Sequence, residues 1–180
     1  MGRATVLTLV GSLRAASINR QLAEVAAHAA PDHVDVVTYD GLSDVPFYNE
    51  DLDTEDPPAA VGALRAAVAD ADAVLIVTPE YNGTIPAVLK NAIDWLSRPY
   101  GNSAIKDTPL AVVGTAMGRF GGVWAHDDTR KSFGIAGARV VDSITLSLPV
   151  AALDGKHPRE SAEVTGSLRE ILAELVAPPH

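Results

Sequence analysis

Four side chains with phosphate-binding chemistry follow an apolar run near the beginning of the chain: Ser12, Arg14, Ser17 and Asn19. The run, residues 6–10, has the nearly continuous hydrophobicity of a strand that is covered on both faces of a parallel sheet. Gly11 permits a sharp turn after it, and a helical pattern begins at Ile18. Donor groups at the start of a helix suit a dianionic phosphate, because backbone N–H groups there lack partners and the helix dipole is positive. The segment predicts a phosphate site, and an ordinary strand–turn–helix connection capped by Ser17 is the alternative.

The same segment does not match two common nucleotide-binding loops. It lacks the G-x-x-x-x-G-K-[ST] pattern of nucleoside triphosphatases. It also lacks the G-x-G-x-x-G pattern of dinucleotide-binding folds, because Gly11 is the only glycine in the segment that ends at Asn19. A monophosphate ligand is therefore favoured over a pyrophosphate.

Two further polar loops, residues 78–84 and 116–122, follow the third and fourth apolar strand patterns. Asn, Gly and Pro residues in the first loop leave backbone groups exposed. The glycines at 118, 121 and 122 in the second loop would let the backbone approach a flat ligand closely. Both loops are therefore candidate walls of a ligand site.

Strand and helix patterns alternate along the chain, with strands predicted at residues 6–10, 33–39, 73–77, 109–115 and 138–148. The last strand contains two short apolar patches and is predicted to have a broken or bent end. This alternation predicts an α/β fold of three layers, a flavodoxin-like doubly wound five-stranded parallel sheet of order 2-1-3-4-5. Ligands of such folds bind at the carboxyl ends of the strands, near the switch between the first and the third. The three candidate loops follow strands one, three and four, so the topology brings them to one site.

Two features leave alternatives open. Residues 40–58 form a long, turn-rich segment. Three roles are open for residues 47–49 (Phe-Tyr-Asn) within it: contact with a ligand, closure over a neighbouring subunit, or packing beneath the loop. The third helix has a broad apolar stripe, with Trp95 beyond its edge. A stripe of this width predicts burial against the sheet and against a further partner, such as a second subunit. The alternative is a helix in its own core with Trp95 partly exposed.

The composition limits the classes of protein and partner. At 180 residues, the chain is long enough for one domain with its own core, which we expect to span residues 1–180. The formal net charge of −9 argues against nucleic acids and anionic membranes as partners, because both are bound through clustered Lys and Arg. The absence of cysteine excludes disulfides, thiolate metal sites and a cysteine nucleophile, and it fits a reducing compartment.

We expect a cytoplasmic protein without a metal site. The first apolar run is too short to span a membrane, and no cleavage pattern follows it. The five histidines are not spaced as metal ligands. The acidic stretch at residues 50–56 lacks the glycine and the glutamate of a calcium-binding loop, so we expect it to be a solvated loop.

Two motifs resemble those of the NADPH-dependent FMN reductase family, which includes soluble quinone and chromate reductases. They are G-S-L-R at residues 11–14, together with Ser17 and Asn19, and P-E-Y-N at residues 79–82, which leads into L-K-N-A-I-D-W at residues 89–95. The resemblance extends from about residue 6 to residue 141. It implies a flavodoxin-like fold that binds FMN, takes electrons from NADPH or NADH, and assembles as a homodimer or a homotetramer.

The resemblance also implies a role for each candidate site residue. The FMN phosphate would be held by Ser12, Arg14, Ser17 and Asn19. The isoalloxazine and ribityl portions would be lined by Pro79, Glu80, Tyr81, Asn82 and Gly83. The other edge of the ring would be flanked by the loop that contains Thr115, Gly118, Gly121 and Gly122.

The chain departs from the family at two places. Residues 124–126 are Trp-Ala-His where family members commonly have Arg-Ala-Gln. This departure bears on the preference for the nicotinamide donor and on contacts between subunits. Ala87 stands where the family usually has glycine, and we expect little consequence from it.

The activity that the resemblance implies is ping-pong hydride transfer. Reduced nicotinamide gives a hydride to the flavin N5, leaves, and is replaced by a quinone, with flavins, chromate and azo compounds as further candidate acceptors. Because the flavin carries the hydride, no catalytic side chain is predicted. Backbone N–H groups of residues 80–83 and 118–122 would stabilise negative charge on the reduced ring. Tyr81 either shapes the acceptor pocket or simply packs.

Two alternatives belong to other classes of protein. The first is an FMN-binding electron carrier that acts on a protein partner. The acidic net charge fits a carrier, but Arg14 does not fit the hydroxyl-only phosphate loop that is usual for one. The second is a protein that binds another phosphorylated ligand and performs no redox chemistry.

Overall fold

The computed structural model describes residues 2–178, in which five parallel strands form one sheet of order β2-β1-β3-β4-β5. The strands are β1 (Ala4–Val10), β2 (Val34–Tyr39), β3 (Ala73–Val77), β4 (Pro109–Ala116) and β5 (Arg139–Pro149). The expected topology is confirmed. The switch point between β1 and β3 therefore lies where the sequence placed the candidate site.

The helices are α1 (Ile18–Ala29), α2 (Ala59–Ala69), α3 (Ala87–Leu96), α4 (Val123–Ala136) and α5 (Ala162–Leu175). They cover the sheet on both faces and give the expected three layers. Val6 and Val10 of β1 pack in the apolar cluster that contains α1 and α5. Leu7 and Leu9 pack in the cluster on the opposite face, which contains α2, α3 and α4. This alternation is the period of two that a strand buried on both faces requires.

β5 is irregular, as its divided apolar pattern predicted. Leu110 of β4 pairs with Val140, but Val112 pairs with Thr145, so β5 contains extra residues between the two pairs. A bulge of this kind locally interrupts the ladder. Arg130 of α4 donates from Nη2 to the carbonyl oxygen of Val112 at 2.9 Å, which ties the helix to the sheet at the irregular point.

The further partner of α3 is the chain's own segment 40–58. Asn91 donates from Nδ2 to the carbonyl oxygens of Val45 (3.3 Å) and Pro46 (3.0 Å), and its Oδ1 accepts from the N–H of Tyr48 (2.8 Å). Trp95 donates from Nε1 to the same Pro46 oxygen at 2.8 Å. Trp95 is fully buried. The prediction that it lies beyond the edge of the apolar stripe is therefore wrong, and so is the partial exposure that the alternative assigned to it. The width of the apolar stripe is explained within one subunit.

Residues 47–49, in the middle of segment 40–58, have three different environments. The ring of Tyr48 packs edge-on against Trp95, with 4.9 Å between ring centroids. Asn49 caps a short 3₁₀ turn (Glu50–Leu52) by accepting from the N–H of Asp51. Phe47 is 81% exposed. Simple packing therefore accounts for Tyr48, Asn49 is an exposed cap, and Phe47 is free to meet a ligand or another subunit.

Asp53 is the exception to the solvated acidic loop that the sequence predicted. Its side chain is 7% exposed and accepts from Arg98 Nε at 2.8 Å and from Arg65 Nη2 at 2.9 Å. These hydrogen bonds, from Arg98 first and then Arg65, hold the pKa of Asp53 below its usual value. Arg65 also donates to the backbone oxygen of Trp95. A buried carboxylate thus ties the end of the segment to α2 and to the residue that follows the C-cap of α3.

Within residues 2–178, no helix combines the length and the apolar character that are needed to cross a membrane.

Replacing Asn91 by alanine should destabilise the fold by about 1–3 kcal/mol, because it leaves the N–H of Tyr48 and two backbone carbonyl groups without their partner. Urea unfolding measures this loss. Lys90→Ala is the matched control on the same helix, since Lys90 makes an exposed ion pair with Asp94 that is worth about 0.3–0.5 kcal/mol. Equal unfolding free energies for the two variants would show that Asn91 does not fasten the segment.

Candidate functional site

A cleft of about 460 Å³ opens at the carboxyl ends of β1, β3 and β4, and its volume is in the range of small-molecule sites. Nine of the predicted site residues line it: Ser12, Arg14, Ser17, Asn19, Pro79, Glu80, Tyr81, Thr115 and Gly118. Its other lining residues are Ile18, Ala116, Met117 and Val150. The three loops that the sequence singled out therefore meet at one place.

The loop after β1 presents donors to this cleft. Ser17 caps α1, and its hydroxyl oxygen accepts from the N–H of Arg20 at 3.4 Å. The hydroxyl oxygen of Ser12 accepts from the N–H of Arg14 at 3.4 Å. Neither bond uses the hydroxyl hydrogen, so both buried serines retain a donor. The exposed guanidinium of Arg14 bonds to the carbonyl of Ala16 through one nitrogen and has further N–H groups to offer.

Asn19 has a different main role from the one that the resemblance implies. Its Nδ2 donates to the carbonyl oxygen of Thr115 at 3.0 Å, and its Oδ1 accepts from the N–H of Thr115 at 2.9 Å. The carboxamide thus satisfies both backbone groups at the end of β4 and joins the loop after β1 to the loop after β4. A phosphate contact from Asn19 stays a prediction, and only the second hydrogen on Nδ2 is left to make it.

Asn82 and Gly83 form the tip of a two-residue hairpin and do not line the cleft. Tyr81 and Thr84 exchange backbone hydrogen bonds of 3.2 and 3.1 Å across it. Both tip residues have positive φ, 52° and 75°, as a type I′ turn requires, and Asn-Gly is the favoured sequence for that turn. The tip thereby orients Tyr81, and direct contact of Asn82 or Gly83 with a ligand stays a prediction.

Glu80 connects two of the loops. Its Oε2 accepts from the N–H of Ala125, in the first turn of α4, at 3.2 Å. A carboxylate at this position satisfies a free N–H and interacts favourably with the helix dipole. Thr84 makes a second link, because its hydroxyl donates to Asp128 of α4 at 2.7 Å. The wall after β3 is therefore fastened to the start of α4.

Gly121 and Gly122 lie outside the cleft, where the loop after β4 packs on β5 and α4. Both have positive φ, 64° and 96°. A Cβ on Gly121 would lie 2.4 Å from the carbonyl oxygen of Ser147, and a Cβ on Gly122 would lie 3.1 Å from His126 Nε2. These glycines let the loop after β4 pack closely on β5 and α4, and neither lines the cleft.

His126 is a buried residue to which sequence reasoning gave no site role. Its Nε2 lies 2.9 Å from the carbonyl oxygen of Thr78, and its Nδ1 lies 2.7 Å from the hydroxyl of Ser147. Burial is the main cause that lowers the pKa of this imidazole, so the neutral form is favoured. Residue spacing gave no sign of this role, and only the departure from the family pattern marked the position.

Gly114 is a second residue to which the sequence analysis gave no role at the site. A Cβ there would lie 2.0 Å from the carbonyl oxygen of Thr78, 2.8 Å from His126 Nε2 and 2.9 Å from Asn19 Oδ1. The glycine thus makes room for the groups that join the loops. A signal was present in the sequence, because glycine inside an apolar strand pattern often marks the close approach of another group.

Large apolar side chains are exposed at the cleft and on the segment that follows β4. Trp124 is 57% exposed and lies beside Phe120, with 5.8 Å between ring centroids. Tyr81 and Met117 are exposed as well. The departure from the family at residues 124–126 therefore has two separate consequences, an exposed aromatic ring at Trp124 and a buried imidazole at His126.

A second groove of about 490 Å³ lies at the carboxyl ends of α3 and α4, and none of the predicted site residues lines it. Within residues 2–178, no group of three or more His, Asp or Glu side chains is placed to hold a metal ion.

The sheet order and the position of the cleft define the class of protein, a flavodoxin-like protein whose ligand site lies at the switch point between β1 and β3. Comparison with known proteins gives the family. Residues 4–153 match the NADPH-dependent FMN reductase family. This chain belongs to that family, as its motifs indicated, and it is an oxidoreductase that uses FMN and NAD(P)H.

Individual relatives agree with this assignment. A quinone reductase from Pseudomonas putida is 40% identical over 151 residues, which are 84% of this chain and 78% of that protein. A 2-hydroxy-1,4-benzoquinone reductase from a Burkholderia species is 38% identical over 165 residues, 91% of this chain and 84% of that protein. The structure of a flavoenzyme NAD(P)H:(acceptor) oxidoreductase from Paracoccus denitrificans is similar with a TM-score of 0.84 and 31% identity, over 96% of this chain and 95% of that one.

The residues of the cleft fit FMN. Two buried serine hydroxyls with unused hydrogens, the Arg14 guanidinium and the first N–H groups of α1 form a donor set suited to a phosphate. On the other side, a Cβ on Gly118 would meet no described atom within 4 Å, so the backbone of this wall is open to a flat ring.

Gly114→Ala should destabilise the protein by about 3 kcal/mol, because the added methyl group would overlap the Thr78 carbonyl and the side chains of Asn19 and His126. Gly118→Ala is the matched control in the loop that follows β4, since its Cβ would be in open space. Thermal unfolding of both variants without ligand tests the difference. If Gly114→Ala is as stable as Gly118→Ala, the close packing at the end of β4 is not a constraint.

Proposed function

We propose that this enzyme transfers hydride from NAD(P)H to quinones through FMN bound in the cleft at the carboxyl ends of β1, β3 and β4. The observation that carries the proposal is the meeting of the serine and arginine donors of the first loop with two backbone walls in one cleft. The relatives named as quinone reductases, at 38–40% identity over most of this chain, support the choice of acceptor.

The first loop holds the phosphate end of the cofactor in this proposal. The hydroxyls of Ser12 and Ser17 donate to the phosphate, and Arg14 adds charge-assisted bonds. The N-terminus of α1 contributes its free N–H groups and the positive end of its dipole. Local donors of this kind are needed because the protein as a whole carries a formal net charge of −9.

The two walls hold the ring end. Residues 79–81 and 115–118 line the cleft, and their backbone groups are suited to bond to polar atoms at the edges of the ring. Tyr81 is 49% exposed at the mouth, where it would contact the nicotinamide donor or the acceptor. Asn82, Gly83, Gly121 and Gly122 set the shape of these walls, and Asn19 and Glu80 fasten them.

Bound FMN supplies the redox chemistry, a hydride taken from NAD(P)H in one half-reaction and given to the acceptor in the next. The chain therefore needs no acid–base pair of its own. Its residues bind the cofactor, orient it and restrict access at the mouth of the cleft. One mouth serves both the donor and the acceptor, which is consistent with their binding in turn.

A homodimer and a cytoplasmic location are part of the proposal, with a homotetramer as the larger alternative. The exposed apolar side chains near the mouth, Tyr81, Met117, Phe120 and Trp124, favour a subunit contact beside the cleft. The cytoplasm supplies NAD(P)H. The breadth of the apolar stripe on α3 no longer supports a second subunit, because segment 40–58 covers it.

Arg14→Ala should weaken FMN binding by about 1.5–3 kcal/mol, roughly ten- to 150-fold in Kd, because it removes charge-assisted bonds to the phosphate. Quenching of FMN fluorescence on binding gives the Kd. Arg20→Ala is the matched control: it removes the same charge, but its side chain bonds to Asp40 at 2.9 Å and does not line the cleft. Equal affinities of the two variants would exclude Arg14 from the phosphate site.

The reaction itself is tested by the visible spectrum of the FMN-saturated protein, recorded without oxygen before and after NADPH is added. We expect NADPH to bleach the visible absorption of the bound flavin within seconds, and a benzoquinone added afterwards to restore it. Bound flavin that stays oxidised would favour the electron-carrier alternative, since a carrier needs a partner protein. A protein that takes up no FMN would contradict the proposal and favour another phosphorylated ligand.

A further inference from the structure

We propose that His126 is a positioning residue that, as a buried neutral imidazole, fixes the wall at residues 79–81 through the Thr78 carbonyl, so that FMN affinity falls in acid. This inference rests on the proposed function, because it concerns the same cleft. It assigns to a buried histidine a role that the reaction itself does not require.

The hydrogen bonds define the tautomer of the neutral ring. A carbonyl oxygen can only accept, so the 2.9 Å contact with Thr78 requires a hydrogen on Nε2. In the neutral ring Nδ1 then has no hydrogen, and it accepts from the hydroxyl of Ser147 at 2.7 Å. One side chain thus joins the end of β3 to the end of β5.

Thr78 transmits this contact to the cleft. Its hydroxyl donates to the carbonyl oxygen of Pro79 at 3.0 Å, and its N–H donates to Val113 of β4 at 3.0 Å. A Cβ on Gly11 would lie 2.3 Å from the Thr78 hydroxyl, so the residue is tightly enclosed on the side of β1. The direction in which the chain enters the wall is therefore set by the bonds of Thr78, including the one from His126.

The opposite wall depends on the same ring through Ser147. The next residue, Leu148, accepts from the hydroxyl of Thr115, which lines the cleft. Gly121 packs directly on the backbone of Ser147. Loss of the Ser147 contact would therefore disturb the second wall as well.

The surroundings of His126 disfavour a proton on Nδ1. The ring is fully buried, and burial is the largest cause that lowers its pKa; the charge of Arg130 lowers it further. The hydrogen bond to Thr78 and the charges of Glu80 and Asp127 raise it. The other elements in contact contribute groups that do not titrate: Gly114 of β4, the Asn19 amide of α1 and the Ser147 hydroxyl of β5.

An imidazolium can still donate from Nε2 to Thr78, but its charge is fully buried. The cost of that burial favours a state in which the start of α4 or the adjoining wall moves and the ring gains solvent. FMN would then bind the neutral form in preference. The direction of the pH dependence follows. The protein has its full affinity for FMN at neutral pH, where the His126 ring is neutral, and it loses affinity as the pH falls through the lowered pKa of His126. One linked proton changes the Kd by at most about tenfold per pH unit.

The experiment measures the Kd of FMN from pH 7.5 down to the lowest pH at which the proteins stay folded, for the wild type, His126→Gln and His126→Leu. Glutamine can donate to Thr78 and accept from Ser147 but does not titrate. We expect it to bind FMN within about threefold of the wild type at pH 7.5, and leucine, which makes neither bond, to bind at least tenfold more weakly. The wild type should lose affinity in acid more steeply than the glutamine variant.

The ratio of the wild-type and glutamine constants isolates His126. The FMN phosphate takes up its own proton near pH 6, and it does so equally in both proteins. Urea unfolding without FMN gives a second measure: below about pH 6.5 the unfolded histidine binds a proton that the folded one excludes, so the wild type should lose stability relative to His126→Gln.

Each of the other possible outcomes contradicts a different part of the proposal. Wild-type and glutamine curves that run parallel overturn the dependence on the proton. A glutamine variant as weak as the leucine variant at pH 7.5 overturns the role of the two hydrogen bonds, and the glutamine comparison stands even if His126→Leu does not fold. A wild type that binds no FMN at any pH overturns the proposed function itself.

Discussion

The structure depends most on a polar junction at the end of β4, formed by the Thr78 carbonyl, the Asn19 carboxamide and the His126 imidazole around Gly114. Each group comes from a different loop of the cleft or from the helix behind it. Because buried polar groups must be paired, these bonds fix the loops relative to one another. The junction is possible only where the central residue has no side chain.

The fold could be predicted because its signals are local. Continuous apolar runs indicated buried parallel strands, and the order of strands and helices then fixed the topology. The divided pattern of β5 indicated an irregular strand, although the bulge lies within the strand, between residues 140 and 145, and not at an end. The roles of individual side chains were harder to predict, because their partners are distant: Asn19 bonds to a residue 96 positions away, and Glu80 to one 45 positions away. Only the folded sheet brings these pairs together.

The two motifs that identified the family contain residues with two different physical purposes. Most polar residues of the first motif and residues 79–81 of P-E-Y-N line the cleft, and Asn82 shapes its wall. The second half of the second motif, residues 89–95, contains Asn91 and Trp95, whose hydrogen bonds hold segment 40–58 against α3. A family motif therefore marks scaffold contacts as well as ligand contacts. The sequence could not separate them, since an amide or an indole N–H serves equally well in either.

The junction and the mouth of the cleft are under unequal constraints. Asn19, Gly114 and His126 each have several partners, so a change at one disturbs several loops at once. Met117 and Trp124 are largely exposed, and the fold depends little on their exact shape. Since the cofactor carries the reaction, the mouth needs only to admit a donor and an acceptor. Selectivity for the acceptor can therefore change through exposed residues while the cofactor site stays as it is.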